Sequence, residues 1–458
     1  MKAAKTVNTD DATLYAQHAV QMQVRFERIM TKCELDVILI ASGTTKFAFL
    51  DDKPYPFQPN PHFLSWVPVP VPNCWLLLRP GLTPVLAYWR PADYWHLPPS
   101  RPQGEWMAHV DVRLIGSREE AVDALLPLAG GTHALKRGRV AILGEDDAAV
   151  GTFVPNNPPR VMAALAWARG IKTEYELQCL RKASRIGAEA HRAAQGAFDA
   201  QGSEADIHRA YLLSSGHTDL DLPYASIVAL NERAAVLHYQ SQDACSPVQQ
   251  RSLTIDAGAQ VRGYACDITR TWPGKDAPSV FKALIASLDS AQRRLVDLVR
   301  SGVDYRDVHL AAHAEIAKIL VEAGIVSMGV EAAIAEGVTS IFFPHGLGHL
   351  LGLQVHDVGG LMADEFGENT IARPEGHPFL RLTRPLAPRM VVTIEPGLYF
   401  IPMLLERLRA RSTAARVDWR LVDVLVPCGG IRIEDDVCCR ASGPPENLTR
   451  NAFALTLA

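Results

Sequence analysis

The chain has 458 residues, enough for two or three domains, and its 48% hydrophobic content fits a globular protein with a substantial core. A formal net charge of −4 leaves no polybasic footprint, which argues against nucleic acid and anionic membrane surfaces as partners. The most apolar run, FLSWVPVPVPNCWLLL, is broken by prolines and falls short of the roughly 20 residues that a spanning helix needs.

In chain order, residues 1–30 lack a continuous apolar stretch and read as an amphipathic helix instead of a secretory leader. Four short apolar runs follow, LDVILIAS (35–42), CWLLLRP (74–80), TPVLAYW (83–89) and RVAILG (139–144), and their helical intervals predict a mixed α/β domain. The breaker PNNPPR at 155–160 sets the expected boundaries: an N-terminal domain over 1–160, a linker over 161–172 and a second domain over 173–458. Thr173 and Glu176 have the spacing of a capping box at the head of a long helix. Beyond it come the strand-like ASIVAL, SLTIDAG and ACDITRTW, then helical segments at 279–299 and 305–323. A Gly- and His-rich loop leads to the final strands, MVVTIEPGLYF and GIRIEDDVCCR. This order predicts an α+β domain, a curved antiparallel sheet covered by helices, with a pocket on the concave face. Eight cysteines without a Cys-x-x-Cys pair, two of them adjacent at Cys438 and Cys439, read as reduced core residues and place the protein in the cytoplasm.

The chemistry lies in acids set among apolar residues. Asp256 and Asp267 stand eleven positions apart in TIDAGAQVRGYACDITRTW, which reads as a β-hairpin. With the turn centred near Val261 and Arg262, Asp256 faces Asp267 across the two strands. Glu395 in VVTIEPG and Glu434 in GIRIEDD also end apolar β-type runs, where an unpaired acid costs several kcal/mol. A loop holding His345, His349 and His356 supplies imidazole. Two divalent cations would neutralise four such carboxylates. Mostly oxygen donors with one nitrogen suit Mn²⁺, Co²⁺ or Zn²⁺ and not a thiolate structural site. Hydrolysis is the default chemistry of such a pair of ions.

Asp256, Asp267, His349, Glu395 and Glu434, with the loop His-Gly-Leu-Gly-His, Glu-Pro-Gly and Arg-Ile-Glu-Asp, resemble the ligand set of the pita-bread metallopeptidases. PYPFQPNPHFLSWVPV, VPNCWLLL, IVALNERAAVLHY and LGLQVHD extend the resemblance over nearly the whole chain to the bacterial Xaa-Pro dipeptidases, the prolidases. One departure is Arg389, where that family has glycine in the turn before the strand. The resemblance implies a creatinase-like N-terminal domain and a pita-bread catalytic domain that cleaves dipeptides ending in proline through a hydroxide bridging two ions, most simply Mn²⁺. It makes Asp256 a ligand of one ion and His349 of the other, with Asp267 and Glu434 shared between them. Glu395 is then both ligand and general base and acid. His238 and His356 stand at the substrate carbonyl, and His345 flanks them. Arg381 takes the substrate's free carboxylate, with Arg384 the competing candidate. Arg432 orients a metal-binding carboxylate. A homodimer and a side activity on organophosphate esters are also implied. The rival readings are an aminopeptidase P, acting on longer peptides with proline second, and a non-catalytic binding protein on the same fold.

Overall fold

The apolar runs of the first 150 residues become strands β1 (Val37–Ala41), β2 (Trp75–Leu78), β3 (Val85–Trp89) and β5 (Val140–Leu143) of a five-stranded sheet. The fifth member, β4 (Asp111–Ile115), carries no apolar signal because only Ile115 on it is buried. The order is β4-β3-β2-β1-β5, antiparallel at β1–β2 and β2–β3 and parallel at the two outer pairs. Leu39, Leu77, Ala87 and Ile142 form its core with Trp75, whose ring lies 5.3 Å from that of Phe153. In the helix Thr9–Lys32, Tyr15, Met22, Phe26, Ile29 and Met30 are buried, a stripe with helical spacing. This computed structural model describes residues 9–456, so the first eight residues of the expected N-terminal helix lie outside the described residues.

Two compact units emerge. One spans the chain up to Gln178 and takes in Asp364–Glu368, and the other takes Cys179–Ala363 and the chain from Asn369 onward. The helix Pro159–Arg169 carries most of the stretch 161–172. The capping box forms at the head of the helix Glu174–Asp199: the Thr173 N–H donates to Glu176 Oε2 at 2.6 Å, and the Glu176 N–H donates to Thr173 Oγ1 at 3.3 Å.

The second unit is built from short antiparallel strands. β6 (Ile227–Leu230), β7 (Ser252–Asp256) and β10 (Thr269–Pro273) form one sheet. Between β7 and β10 the hairpin continues through β8 (Gln260–Val261) and β9 (Tyr264–Ala265). Its register corrects the expected facing of the two aspartates: Asp256 pairs with Thr269, and Val261 with Tyr264. The reason is the turn, which falls one residue later, on Arg262 and Gly263, both at positive φ (57° and 86°) as a tight two-residue hairpin turn requires. Asp256 and Asp267 are therefore diagonal neighbours on one face.

The two C-terminal runs expected as continuous strands are each interrupted. β11 (Val391–Ile394) and β12 (Gly397–Tyr399) are separated at Glu395-Pro396, and β13 (Gly430–Arg432) and β14 (Asp435–Cys438) at Ile433-Glu434. Ile394 pairs with Asp435 and Gly397 with Arg432, so one register runs through both gaps and sets Glu395 opposite Glu434. The helix Ser279–Val296 covers this region, burying Phe281, Leu284, Leu288, Ala291 and Leu295 against β10 and β11. Each of the leucine and phenylalanine side chains contributes roughly 1.5 to 3 kcal/mol when fully removed from water. In the turn before β11, Arg389 holds φ 67°, the conformation that a glycine adopts without strain.

Candidate metal centre

Ten of the residues singled out above, Asp256, Asp267, His349, Glu395, Glu434, His238, His345, His356, Arg381 and Arg432, line one cavity of about 510 Å³ in the second unit, and the competing candidate Arg384 does not. Asp256 ends β7, and Asp267 sits just before β10 on the same hairpin. His349 comes from the His-Gly-Leu-Gly-His loop, which lies close against β11: a Cβ on Gly348 would fall 2.2 Å from the Thr393 carbonyl. The Thr393 N–H donates to the His349 carbonyl at 3.0 Å, and the His349 N–H to Thr393 Oγ1 at 3.1 Å.

The donor atoms converge. His349 Nε2 is 3.4 Å from Asp267 Oδ2 and 3.6 Å from Glu395 Oε1, while its Nδ1 faces the Leu350 carbonyl at 3.0 Å, which fixes the ring with Nε2 aimed inward. Ligand atoms of Asp267, His349 and Glu434 all lie within 4.8 Å of one another. Tyr224 Oη is 2.8 Å from Asp256 Oδ1 and 2.6 Å from Asp267 Oδ1. A phenol has one proton to give, so it satisfies only one of the two carboxylates.

Arg432, only 5% exposed, donates to Asp256 Oδ2 (2.8 Å), to Tyr399 Oη (3.0 Å) and to Thr269 Oγ1 (3.2 Å). Thr269 in turn donates to Glu434 Oε2 at 2.7 Å. Four carboxylates thus meet one guanidinium and one imidazole. Burial pushes Glu434 well above the carboxylate range, and Asp267, Glu395 and Asp256 push it further. Burial lifts Glu395 to about 7, opposed by His349. Asp256 is also raised by burial, with Arg432 opposing. Asp267 is held low because hydrogen bonding and charge from His349 outweigh its burial, and His349 is raised by the same partnership. Such a cluster calls for added positive charge, and its donors, four carboxylates and one imidazole, fit divalent cations.

The remaining residues ring this cluster. The His356 ring stands edge-on to His349 at 4.4 Å, and burial lowers it to about 4. His345 Nε2 meets Tyr399 Oη at 2.9 Å and its Nδ1 the Gly346 carbonyl at 2.8 Å. His238 and Arg381 line the cavity from exposed positions. Arg384 is buried, at 3% exposure, and directs Nη1 to the Gly359 carbonyl at 3.4 Å. Sequence reasoning missed Tyr224, Thr269 and Tyr399, whose only signal is contact between distant segments.

Residues 178–441 match the model of metallopeptidase family M24. The chain belongs to metallopeptidase family M24. Residues 13–167 of this M24 protein match the model of the Xaa-Pro dipeptidase N-terminal domain. It is 47% identical over 444 residues to an Xaa-Pro dipeptidase of Xanthomonas campestris pv. campestris, covering 97% of this chain and 98% of that protein. It is 44% identical over 449 residues to one of Stenotrophomonas maltophilia, covering 98% and 99%. Its fold is similar to that of zinc-substituted Escherichia coli aminopeptidase P in complex with product, with TM-score 0.68, 23% identity and coverage of 96% and 98%. It is also similar to proline aminopeptidase P II from Yersinia pestis, with TM-score 0.67, 25% identity and coverage of 96% and 99%. These likenesses agree with the expected pita-bread domain preceded by a second domain. No helix among the described residues is long and apolar enough to cross a membrane.

Proposed function

We propose that this M24 protein is a metal-dependent Xaa-Pro dipeptidase. The observation that carries this reading is the placement of a carboxylate-rich donor set and an exposed arginine, Arg381, around one cavity of about 510 Å³, a space suited to a small ligand. The near full-length relatives named Xaa-Pro dipeptidase support it. Asp256, Asp267, His349, Glu395 and Glu434 would hold two divalent ions, which supply activation of water and polarisation of the scissile carbonyl. The oxygen-dominated donor set favours Mn²⁺, with Co²⁺ or Zn²⁺ as substitutes.

The chain's own groups supply the rest. Arg381 binds the free carboxylate of the C-terminal proline with two parallel N–H bonds, and so selects a dipeptide over a longer substrate. His238 and His356 line the cavity where an imidazole N–H can stabilise negative charge building on the carbonyl oxygen. His345, held at Nε2 by Tyr399 and at Nδ1 by the Gly346 carbonyl, stands with Nδ1 3.7 Å from Glu395 Oε2 and walls the cavity beside that carboxylate. Glu395 takes the proton of the attacking water and returns it to the proline nitrogen, which has none of its own because the bond before proline is a tertiary amide. Arg432 keeps Asp256 ionised and fixed through its 2.8 Å bond.

We further propose a homodimer working in the cytoplasm. Supporting a reducing compartment, none of the eight cysteines is joined in a disulfide. Supporting self-association, the first unit exposes Phe49, Leu50, Tyr94, Trp95 and Leu97. The deciding experiment compares turnover of Ala-Pro and Ala-Pro-Ala with Mn²⁺. Preference for the dipeptide is expected; preference for the tripeptide would replace this reading with an aminopeptidase P, and no turnover of either would favour a non-catalytic binding protein.

A further inference from the structure

We propose that His309, His313 and His377 form a separate metal site that takes one borderline divalent ion of the Zn²⁺ class. His309 and His313 lie one turn apart on the helix Tyr305–Glu322, so their side chains leave the same face. His377 reaches them from the segment that leads to Arg381. The rings stand 4.9 Å (His309–His313), 4.6 Å (His309–His377) and 4.4 Å (His313–His377) apart, and one nitrogen from each lies within 4.8 Å of the others. Around a tetrahedral ion with Zn–N of about 2.1 Å, such nitrogens sit about 3.4 Å apart, so ring rotations that close the cluster by about an ångström complete it.

Three features separate this trio from histidines that merely fill a core. His309 is 1% exposed and neither of its ring nitrogens has a partner among the described residues; His313 is 2% exposed and its Nε2 is likewise unpaired. A neutral imidazole always carries one donor and one acceptor, and leaving such a group unmet in the interior costs roughly 1 to 3 kcal/mol. Secondly, His313 Nδ1 is 3.0 Å from Thr339 Oγ1, the outer hydrogen bond that turns the other nitrogen of a ligating histidine toward its ion. Thirdly, His377 is half-buried and opens the trio to solvent, giving an entry path. Burial holds all three histidines below their ordinary pKa, which removes the proton that competes with a metal.

The donor set is all nitrogen, whereas the cavity's set is mostly oxygen, so the two places select different ions. None of the three histidines lines that cavity. Between them stands Phe343, whose ring is 5.0 Å from His313 and 4.8 Å from His345. An ion bound by the trio ties the segment bearing His377, and Arg381 four residues on, to the helix.

The test is equilibrium dialysis of the whole protein against Zn²⁺ after chelator treatment, with Co²⁺ spectra in parallel. Wild type is expected to bind one more Zn²⁺ per chain than His377→Ala, a variant at a half-exposed loop position. The Asp267→Asn/Glu434→Gln variant is expected to retain one Zn²⁺ that adding His377→Ala removes. Co²⁺ is expected to give the intense visible bands of a tetrahedral nitrogen site in wild type and not in His377→Ala. Equal Zn²⁺ stoichiometry and equal Co²⁺ spectra in wild type and His377→Ala overturn the site, as does complete loss of Zn²⁺ binding in folded Asp267→Asn/Glu434→Gln. None of these readings involves peptide turnover, so they stand apart from the fate of the proposed dipeptidase activity.

Discussion

Replacing Arg432 separates the charge it brings to the centre from the geometry it imposes. Its three donors reach Asp256, Tyr399 and Thr269 at 2.8, 3.0 and 3.2 Å from a position only 5% exposed. Arg432→Met leaves a buried carboxylate without its partner, a loss of about 3 to 5 kcal/mol. Asp256 can escape by taking up a proton, which from an ordinary aspartate pKa costs about 4 kcal/mol at pH 7 and about 1.5 kcal/mol at pH 5, so the penalty has a ceiling that falls with pH. Arg432→Lys keeps the charge but offers one compact ammonium in place of a fork, so it forfeits about two hydrogen bonds, roughly 1 to 3 kcal/mol. Urea unfolding with chelator present should therefore rank wild type above Lys above Met, with the Met deficit shrinking at pH 5. Metal-loaded Arg432→Lys should lose about 10- to 100-fold in kcat/KM, because the orientation of Asp256 is lost while its charge is still compensated. A Lys variant within twofold of wild type, or a Met variant as stable as Lys at pH 7, would refute this account of Arg432.

Glu395→Gln should abolish turnover while far-UV circular dichroism stays unchanged; near-wild-type activity would remove Glu395 from its proton-transfer role. Arg381→Ala should cost about 10- to 100-fold in kcat/KM on a dipeptide, the worth of a charge-assisted pair, and much less on the amide of the same dipeptide. His191, fully buried with Nε2 3.0 Å from the Ala257 carbonyl, is pushed by burial down to about 3. The unfolded chain takes up that proton near pH 6.5 and the folded one does not, so stability falls as pH drops below 6.5, by on the order of 2 kcal/mol at pH 5 from this group. His191→Phe should flatten that part of the urea-midpoint profile; an unchanged slope counts against it. Arg389→Gly should raise stability by about 1 kcal/mol, relief of left-handed strain outweighing glycine's extra unfolded-state entropy, and a lower urea midpoint would contradict this.

Much of the site was legible because acids inside apolar β-type runs are costly enough to need a reason. Register was harder. Gly263 marks the turn, but nothing local says that Arg262 also adopts positive φ, and that single residue decides which position Asp267 meets. β4 escaped notice because its DVRLI pattern is largely solvent-facing. Tyr224 and Thr269 reach partners 32 and 165 residues away, and no spacing rule links them. Arg381 and Arg384 share one short motif, and only burial tells them apart.

Facing carboxylates do occur in this fold, in the second pair of strands and not in the first. Because one register spans both gaps, Glu395 stands directly opposite Glu434. The ladder carries on past them: the Ile433 N–H donates to the Pro396 carbonyl at 3.4 Å and the Phe400 N–H to the Gly429 carbonyl at 2.9 Å. That alternation makes Glu395 and Glu434 a non-hydrogen-bonded pair, whose backbone groups point away from each other and whose side chains lie closest. The outward N–H groups reach the other donor segments: the Glu395 N–H donates to the Leu347 carbonyl of the histidine loop at 2.9 Å, and the Glu434 N–H to the Thr269 carbonyl of the aspartate hairpin at 3.1 Å. The register that brings two like charges together is thus the same feature that docks the His349 loop and the Asp256–Asp267 hairpin against them. A slip of one residue would turn both glutamates to the other face and aim their N–H groups away from those two segments.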